Sequence, residues 1–193
     1  MKKIALFVCF SLYIPLMAWS QPETAKGEEA QADSIDLAEE EALIETLVEI
    51  QNHCRMLDRR FDYQIVSLLN EEFMQQMTDG GGQLTAYLYD GEVHKIETLI
   101  YLSNGRITRM YYYRDDMLVL VREKEEHYLY DADTNQFNYA QTEVAHAGEF
   151  TIYEGNIIMA ESFGVSELGD KQDAADVLLN LGQRYQRIVE VEK

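Results

Sequence analysis

Cysteine, proline and tryptophan are nearly absent from this chain, with two, two and one among 193 residues. Cys9, Pro15, Trp19 and Pro22 all lie at its beginning. If the first residues are removed as a leader, Cys54 stands alone and no intramolecular disulfide can form, so stability must come from the core. After Pro22 no proline punctuates the sequence. Positive charge is also scarce: 16 lysines and arginines face 35 acidic residues, a formal net charge of −19, and loss of Lys2 and Lys3 with a leader deepens it. A field of that sign repels phosphate backbones and anionic headgroups, and no basic patch offsets it. Nucleic-acid binding is therefore not expected.

What is present begins with a leader pattern. Lys2 and Lys3 form a basic start, Ile4 to Met17 an apolar stretch, and Ala18-Trp19-Ser20 a small-x-small site before Gln21. The pattern predicts cleavage after Ser20 and a periplasmic or secreted product. Cys9 follows Val8 inside the apolar stretch, so a lipid anchor is not expected, and no later run approaches the ~18 apolar residues of a membrane span. The expected organisation is a signal peptide over 1–20, an acidic flexible lead-in over 21–33, and one domain over 34–193.

Hydrophobic periodicity gives the elements. From Ser34, a suitable N-cap, the residues Leu43, Leu47, Ile50, Cys54 and Leu57 recur at helical spacing and predict one face of a long amphipathic helix. Residues 61–79 suit either class: Ile65, Leu68, Leu69, Phe73 and Met77 fit a helix, and Phe61, Tyr63 and Ile65 alternate like a strand. We read a second helix here, broken by Gly80-Gly81-Gly82. From Gln83 to Phe163, β-rich runs alternate with turn signals at Asp90-Gly91, Asn104-Gly105, Asp115-Asp116, Asp131 to Asn135 and Gly155-Asn156. Strands are predicted over 83–90, 92–103, 106–114, 117–130, 137–144, 149–154 and 157–163. A last helix starts near Asp170, with Leu178, Leu181, Tyr185 and Ile188 on one face. Connections this short join antiparallel neighbours. The predicted fold class is α+β, an antiparallel meander of six to seven strands packed on one face by the N- and C-terminal helices.

Gly81-Gly82-Gln83-Leu84-Thr85-Ala86-Tyr87, with Lys95-Ile96-Glu97, Asn104-Gly105, Tyr111-Tyr112-Tyr113 and Leu118-Val119-Leu120-Val121, resembles a group of uncharacterised secreted bacterial proteins. They carry a leader, an N-terminal helix and a Gly-Gly-x-Leu-Thr-Ala-Tyr opening to a sheet of tyrosine-rich hairpins. The resemblance implies that architecture and brings no catalytic residues. The Asn-Gly hairpins also resemble antitoxin-like proteins with MORN-type repeats, without the regular repetition or glycine content of such arrays.

Few constellations point to chemistry. His53, His94, His127 and His146 fall on separate elements, without the i, i+4 spacing of a helical zinc site. Cys54 lies on the apolar stripe and reads as buried and inert. Gly164 to Gly169 misses the Gly-x-Ser-x-Gly spacing of a nucleophile elbow by one residue and reads as a loop capping the last helix. Asp131, Asp133 and Asn135 occupy positions 1, 3 and 5 of a calcium loop, but Gln136 and Thr142 stand where the glycine and glutamate belong. They are weak metal candidates only.

The tyrosines carry the binding expectation. Tyr111 and Tyr113 share one face of a strand and Tyr112 opposes them, so with helices on one face at least one of the three is expected to be exposed and to bind a partner. The function expected from sequence is an exported acidic binding module using the open face of the sheet. Its partner would be an unknown protein or carbohydrate of the envelope or exterior. No cofactor is implied. The rivals are a hydrolase with a carboxylate and histidine site and a structural envelope protein.

Overall fold

The structure, a computed structural model, describes residues 29–164 and 171–192. The predicted leader, most of the lead-in and the loop that follows Gly164 lie outside the described residues. The chain divides into two compact units, Met1–Glu41 and Ala42–Lys193. Of the first, the described part is the start of helix α1, which spans Glu29–Arg59. The helix opens ahead of Ser34 because Glu29-Ala30-Gln31-Ala32 are good helix formers.

The second unit holds a seven-stranded sheet in chain order, each strand antiparallel to its neighbours. Its strands are β1 (Gln64–Leu69), β2 (Gly82–Tyr89), β3 (Glu92–Tyr101), β4 (Gly105–Arg114), β5 (Met117–Asp131), β6 (Gln136–Tyr153) and β7 (Asn156–Gly164). Helix α2 (Lys171–Glu192) closes the chain. The α+β meander is as the sequence indicates.

Two strand assignments differ. Residues 61–79 do not form a second helix. They supply β1 and a short 3-10 turn, Asn70–Glu72. The helical face was illusory: Ile65 and Leu69 are exposed, while Leu68 is buried and Val66 packs against the same core. Pairing with β2 decides the matter, because it satisfies the backbone of both strands and seats Leu68 opposite Leu84. Conversely, the runs 137–144 and 149–154 are one strand, β6. Gly148 between them is no turn. A Cβ there would stand 2.9 Å from the Phe150 ring and 3.2 Å from His146 Nε2, so it is side-chain crowding that uses the glycine.

The helices lie on opposite faces rather than on one. Ladder register pairs Tyr111 with Val121, Tyr112 with Leu120 and Tyr113 with Leu118, leaving Val119 as the extra residue of a bulge. Tyr111, Tyr113, Leu118 and Val121 share a core with Leu84, Ile96 and Phe150 and with Leu178, Tyr185 and Val189 of α2. Tyr112, Val119 and Leu120 share a second core with Ile50, Cys54 and Leu57 of α1. Leu43, predicted on the same stripe, is 41% exposed, so the helix buries only the later part of its apolar face.

Turns follow two mechanisms. Asp90-Gly91, Asp115-Asp116 and Glu154-Gly155 have positive φ at both central positions, as right-twisted hairpins require. Asn104-Gly105 does not. Gly105 is instead needed because a Cβ would stand 2.2 Å from the Glu126 carbonyl oxygen of β5. At Gly91 the space is open and only its φ of +82° resists a side chain. Gly105→Ala is therefore expected to destabilise by at least about 2 kcal/mol, since rigid backbone must move, and Gly91→Ala by about 1 kcal/mol. Urea denaturation of both variants checks the order; an equal or larger loss at Gly91 contradicts it.

Candidate functional site

On the α1 side, the sheet presents successive rows of cross-strand neighbours. Tyr112, Leu120, Thr151 and Met159 form the row nearest the helix core. Next come Met110, Arg122, Glu149 and Glu161, then Thr108, Lys124, Ala147 and Phe163. Helix α1 crosses the strands along the Tyr112 row, from Gln51 at Glu149 of β6 to Asp58 at Lys95 of β3, so the outer rows lie beside it and stay uncovered. The result is a groove of about 930 Å³. Its apolar lining comes from Met110, Tyr112, Val144, Ala147 and Phe163, and its charges from Asp58, Arg122, Lys124, Glu149 and Glu161. Val144 and Phe163 remain 43% and 59% exposed.

One wall is fixed by a network around Arg122. Its Nε donates to Glu149 Oε2 at 2.7 Å, and its Nη1 donates to Asp58 Oδ2 at 3.2 Å and to the Tyr112 hydroxyl at 3.0 Å. The Tyr112 hydroxyl donates in turn to Asp58 Oδ1 at 3.0 Å, and Gln51 Nε2 donates to Glu149 Oε1 at 2.5 Å. Lys95 Nζ reaches Asp58 Oδ1 at 3.3 Å. Burial by itself would lower the Arg122 pKa, but the Glu149 hydrogen bond and the charges around it more than offset this and hold it up. The α1 end of the groove is thus a cross-braced polar wall that joins helix to sheet.

Lys124 stands one row further on and pairs with Glu126 Oε1 at 3.0 Å, while Arg106 Nε donates to Glu126 Oε2 at 2.8 Å. The Arg106 hydrogen bond, with those from Lys124 and Thr142, holds the Glu126 carboxyl down at about 2 against the cost of burial. Glu161, directly opposite Glu149 in the ladder, has no ion pair or hydrogen bond with any described residue.

The opposite face holds a second polar group, enclosed between sheet and core. Arg109 Nε donates to Glu123 Oε2 at 2.5 Å, and His146 Nε2 lies 3.6 Å from Glu123 Oε1, with all three side chains at most 5% exposed. Glu125, beside His146 in the ladder, is buried as well. Thr98 Oγ1, the Tyr111 hydroxyl and both His146 ring nitrogens have no hydrogen-bond partner there.

The sequence-predicted binding residues are placed otherwise than expected. Tyr111, Tyr112 and Tyr113 are 0%, 2% and 0% exposed, because each face of β4 is covered by a helix at this point. The Tyr113 hydroxyl donates to the Gly182 carbonyl at 2.8 Å, and burial raises the pKa of all three. Only Tyr112 reaches the groove. Among the described residues the exposed tyrosines are Tyr101, Tyr130, Tyr139 and Tyr153, with Tyr130 and Tyr139 on the part of the β5–β6 hairpin that pairs with neither β4 nor β7.

Asp131, Asp133 and Asn135 do sit together, as the turn of that hairpin, but their groups serve the turn. Asp131 Oδ1 accepts the Asp133 and Thr134 amides at 2.9 and 3.4 Å, and Asn135 Oδ1 accepts the Tyr130 hydroxyl. The Thr134 hydrogen bond, with the Asp133 amide, lowers the Asp131 pKa. Among the described residues no cluster of three or more histidine, cysteine or acidic side chains is arranged to hold a metal ion.

Cys54 is fully buried, and desolvation raises its thiol to about 12. His53 contacts the Tyr113 carbonyl at 3.0 Å and His94 packs on Tyr89. The groove residues Arg122, Lys124, Glu149, Glu161 and Phe163 escaped the sequence reading. Strand alternation was enough to put Arg122 and Lys124 on one face, but not to show that a helix leaves that face open.

Comparison with protein-family models, with curated proteins and with solved structures finds no match.

The buried pair gives a stability prediction. Arg109→Met removes the guanidinium from a carboxylate that has no exposed side-chain surface, and is expected to cost about 3–5 kcal/mol in urea denaturation. The double variant Arg109→Met/Glu123→Leu is expected to recover most of that loss. A single-variant cost under about 1 kcal/mol would show that the pair is not the constraint described.

Proposed function

We propose that this chain is an exported binding module whose ligand site is the groove on the α1 side of the sheet. The observation that carries the reading is the groove itself, where exposed apolar side chains sit beside a braced polar wall. Its volume of about 930 Å³ matches that of small-molecule sites, roughly 300–1,000 Å³, in the form of an open groove that covers a ligand from one side. Rigid side chains on a sheet bind at lower entropic cost than mobile loops do. Export is supported by the leader pattern at the N-terminus, and no described helix is long and apolar enough to cross a membrane.

A hydrolase at this groove has less support. The described lining holds no histidine or cysteine, and its one serine, Ser162, is paired in the ladder with Gly148 and has no hydrogen bond to a base among the described residues. Glu123 and His146 do approach one another, but on the other face and in the interior.

The reading is tested with the dye N-phenyl-1-naphthylamine, which fluoresces in apolar surroundings. Saturable binding is expected, weakened about tenfold by Phe163→Ser, which removes one wall, and by Ala147→Gln, which fills the floor. Tyr139→Ser deletes an exposed aromatic on the distant hairpin and is expected to leave binding unchanged. Loss of binding only with Tyr139→Ser, or none with either groove variant, overturns the proposal.

A further inference from the structure

The charges of the groove indicate the sign of its ligand. Arg122 is held by Glu149 and Asp58, and both oxygens of each carboxylate are engaged: those of Glu149 by Arg122 and Gln51, those of Asp58 by Arg122, Lys95 and Tyr112. Lys124 is paired with Glu126. Glu161 is left, an exposed carboxylate on the groove side of β7 with no partner among the described residues, facing Glu149 across the ladder.

Like charges directly opposite one another on a sheet are unfavourable. Arg122 relieves this for Glu149 but not for Glu161. Phe163, two residues along the same strand and on the same face, offers an aromatic ring on the same side of the groove as the Glu161 carboxylate. A carboxylate next to an aromatic face is a setting that attracts an ammonium group. The field of a chain with net charge −19 acts in the same direction, drawing cations and repelling anions.

Building on the groove reading, we infer that the ligand is an amphiphilic amine, with an apolar body along Met110, Ala147 and Val144 and a positively charged head at Glu161 beside Phe163. Lys124 is the competing group. It would favour a carboxylate head if its pair with Glu126 yielded.

Octylammonium, octanoate and octanol share one body and differ in head charge, so titrating each into the full chain at about 0.15 M salt, where the Debye length is about 8 Å, separates the terms. Chemical shifts of the Met110 and Val144 methyl groups report occupancy. Octylammonium is expected to bind about tenfold more tightly than octanol, and Glu161→Gln to abolish that preference while leaving octanol affinity unchanged. Glu154→Gln, an equal change of net charge at the β6–β7 turn, is expected to preserve the preference. Octanoate or octanol binding as tightly as octylammonium overturns the inference and leaves the groove standing. An ammonium preference that survives Glu161→Gln also overturns it, by assigning the selectivity to the general field. If none of the three binds although the naphthylamine dye does, the inference is overturned and the groove stands; if neither the dye nor any of the three binds, both fall.

Discussion

Strands β4 and β5 are covered on both faces at one place, where Tyr111 and Tyr113 project toward α2 and Tyr112 projects toward α1. Each large aromatic removes roughly 150–250 Å² from water, and all three are fully or almost fully buried at this crossing. Two of the three hydroxyls are used to tie the layers together, Tyr113 to the α2 backbone and Tyr112 to Asp58 near the end of α1. The bulge at Val119 keeps both cores supplied, since it lets Leu118 and Val121 face one helix while Val119 and Leu120 face the other. The groove is a consequence of this arrangement: α1 is anchored over the Tyr112 row and crosses the strands there, and the rows beside it remain open.

The polar groups divide along the same lines. On the α1 side they lie at the boundary between covered and open sheet, and the Arg122 network joins helix, β4, β5 and β6 while leaving a solvent-accessible wall. On the α2 side the Arg109 and Glu123 pair is enclosed. A buried pair of this kind gives less net stability than its Coulomb energy suggests, because both charges lose water. Unpartnered buried atoms at Thr98, Tyr111 and His146 each add about 1–3 kcal/mol of penalty when no partner reaches them. That region is a polar island in an otherwise apolar core.

Much of the fold was legible in the sequence, because period-2 alternation and turn dipeptides act locally. The order and antiparallel pairing of the strands from β2 onward followed from Asp90-Gly91, Asp115-Asp116 and the short connections. What failed depended on distant partners. Ile65, Leu68 and Leu69 fit a helical face as well as a strand, and only the edge of β2 decides between them. Gly105 reads as a turn residue and the gap at 145–148 as a strand break, yet Gly105 answers to the Glu126 carbonyl and Gly148 to the Phe150 ring. The alternation of Tyr111, Tyr112 and Tyr113 was read correctly, but their exposure depended on which face each helix takes, which no local pattern encodes. The groove was missed for the same reason.

The division of the three tyrosines between two helices is the claim on which the groove depends, and nuclear Overhauser contacts from their rings test it directly. The Tyr112 ring is predicted to contact the methyl groups of Ile50 and Leu57 and none on α2, while Tyr111 and Tyr113 contact Leu178 and Val189 and none on α1. Contacts from Tyr112 to α2, or from all three tyrosines to one helix, would contradict the two-sided cover and remove the open groove with it.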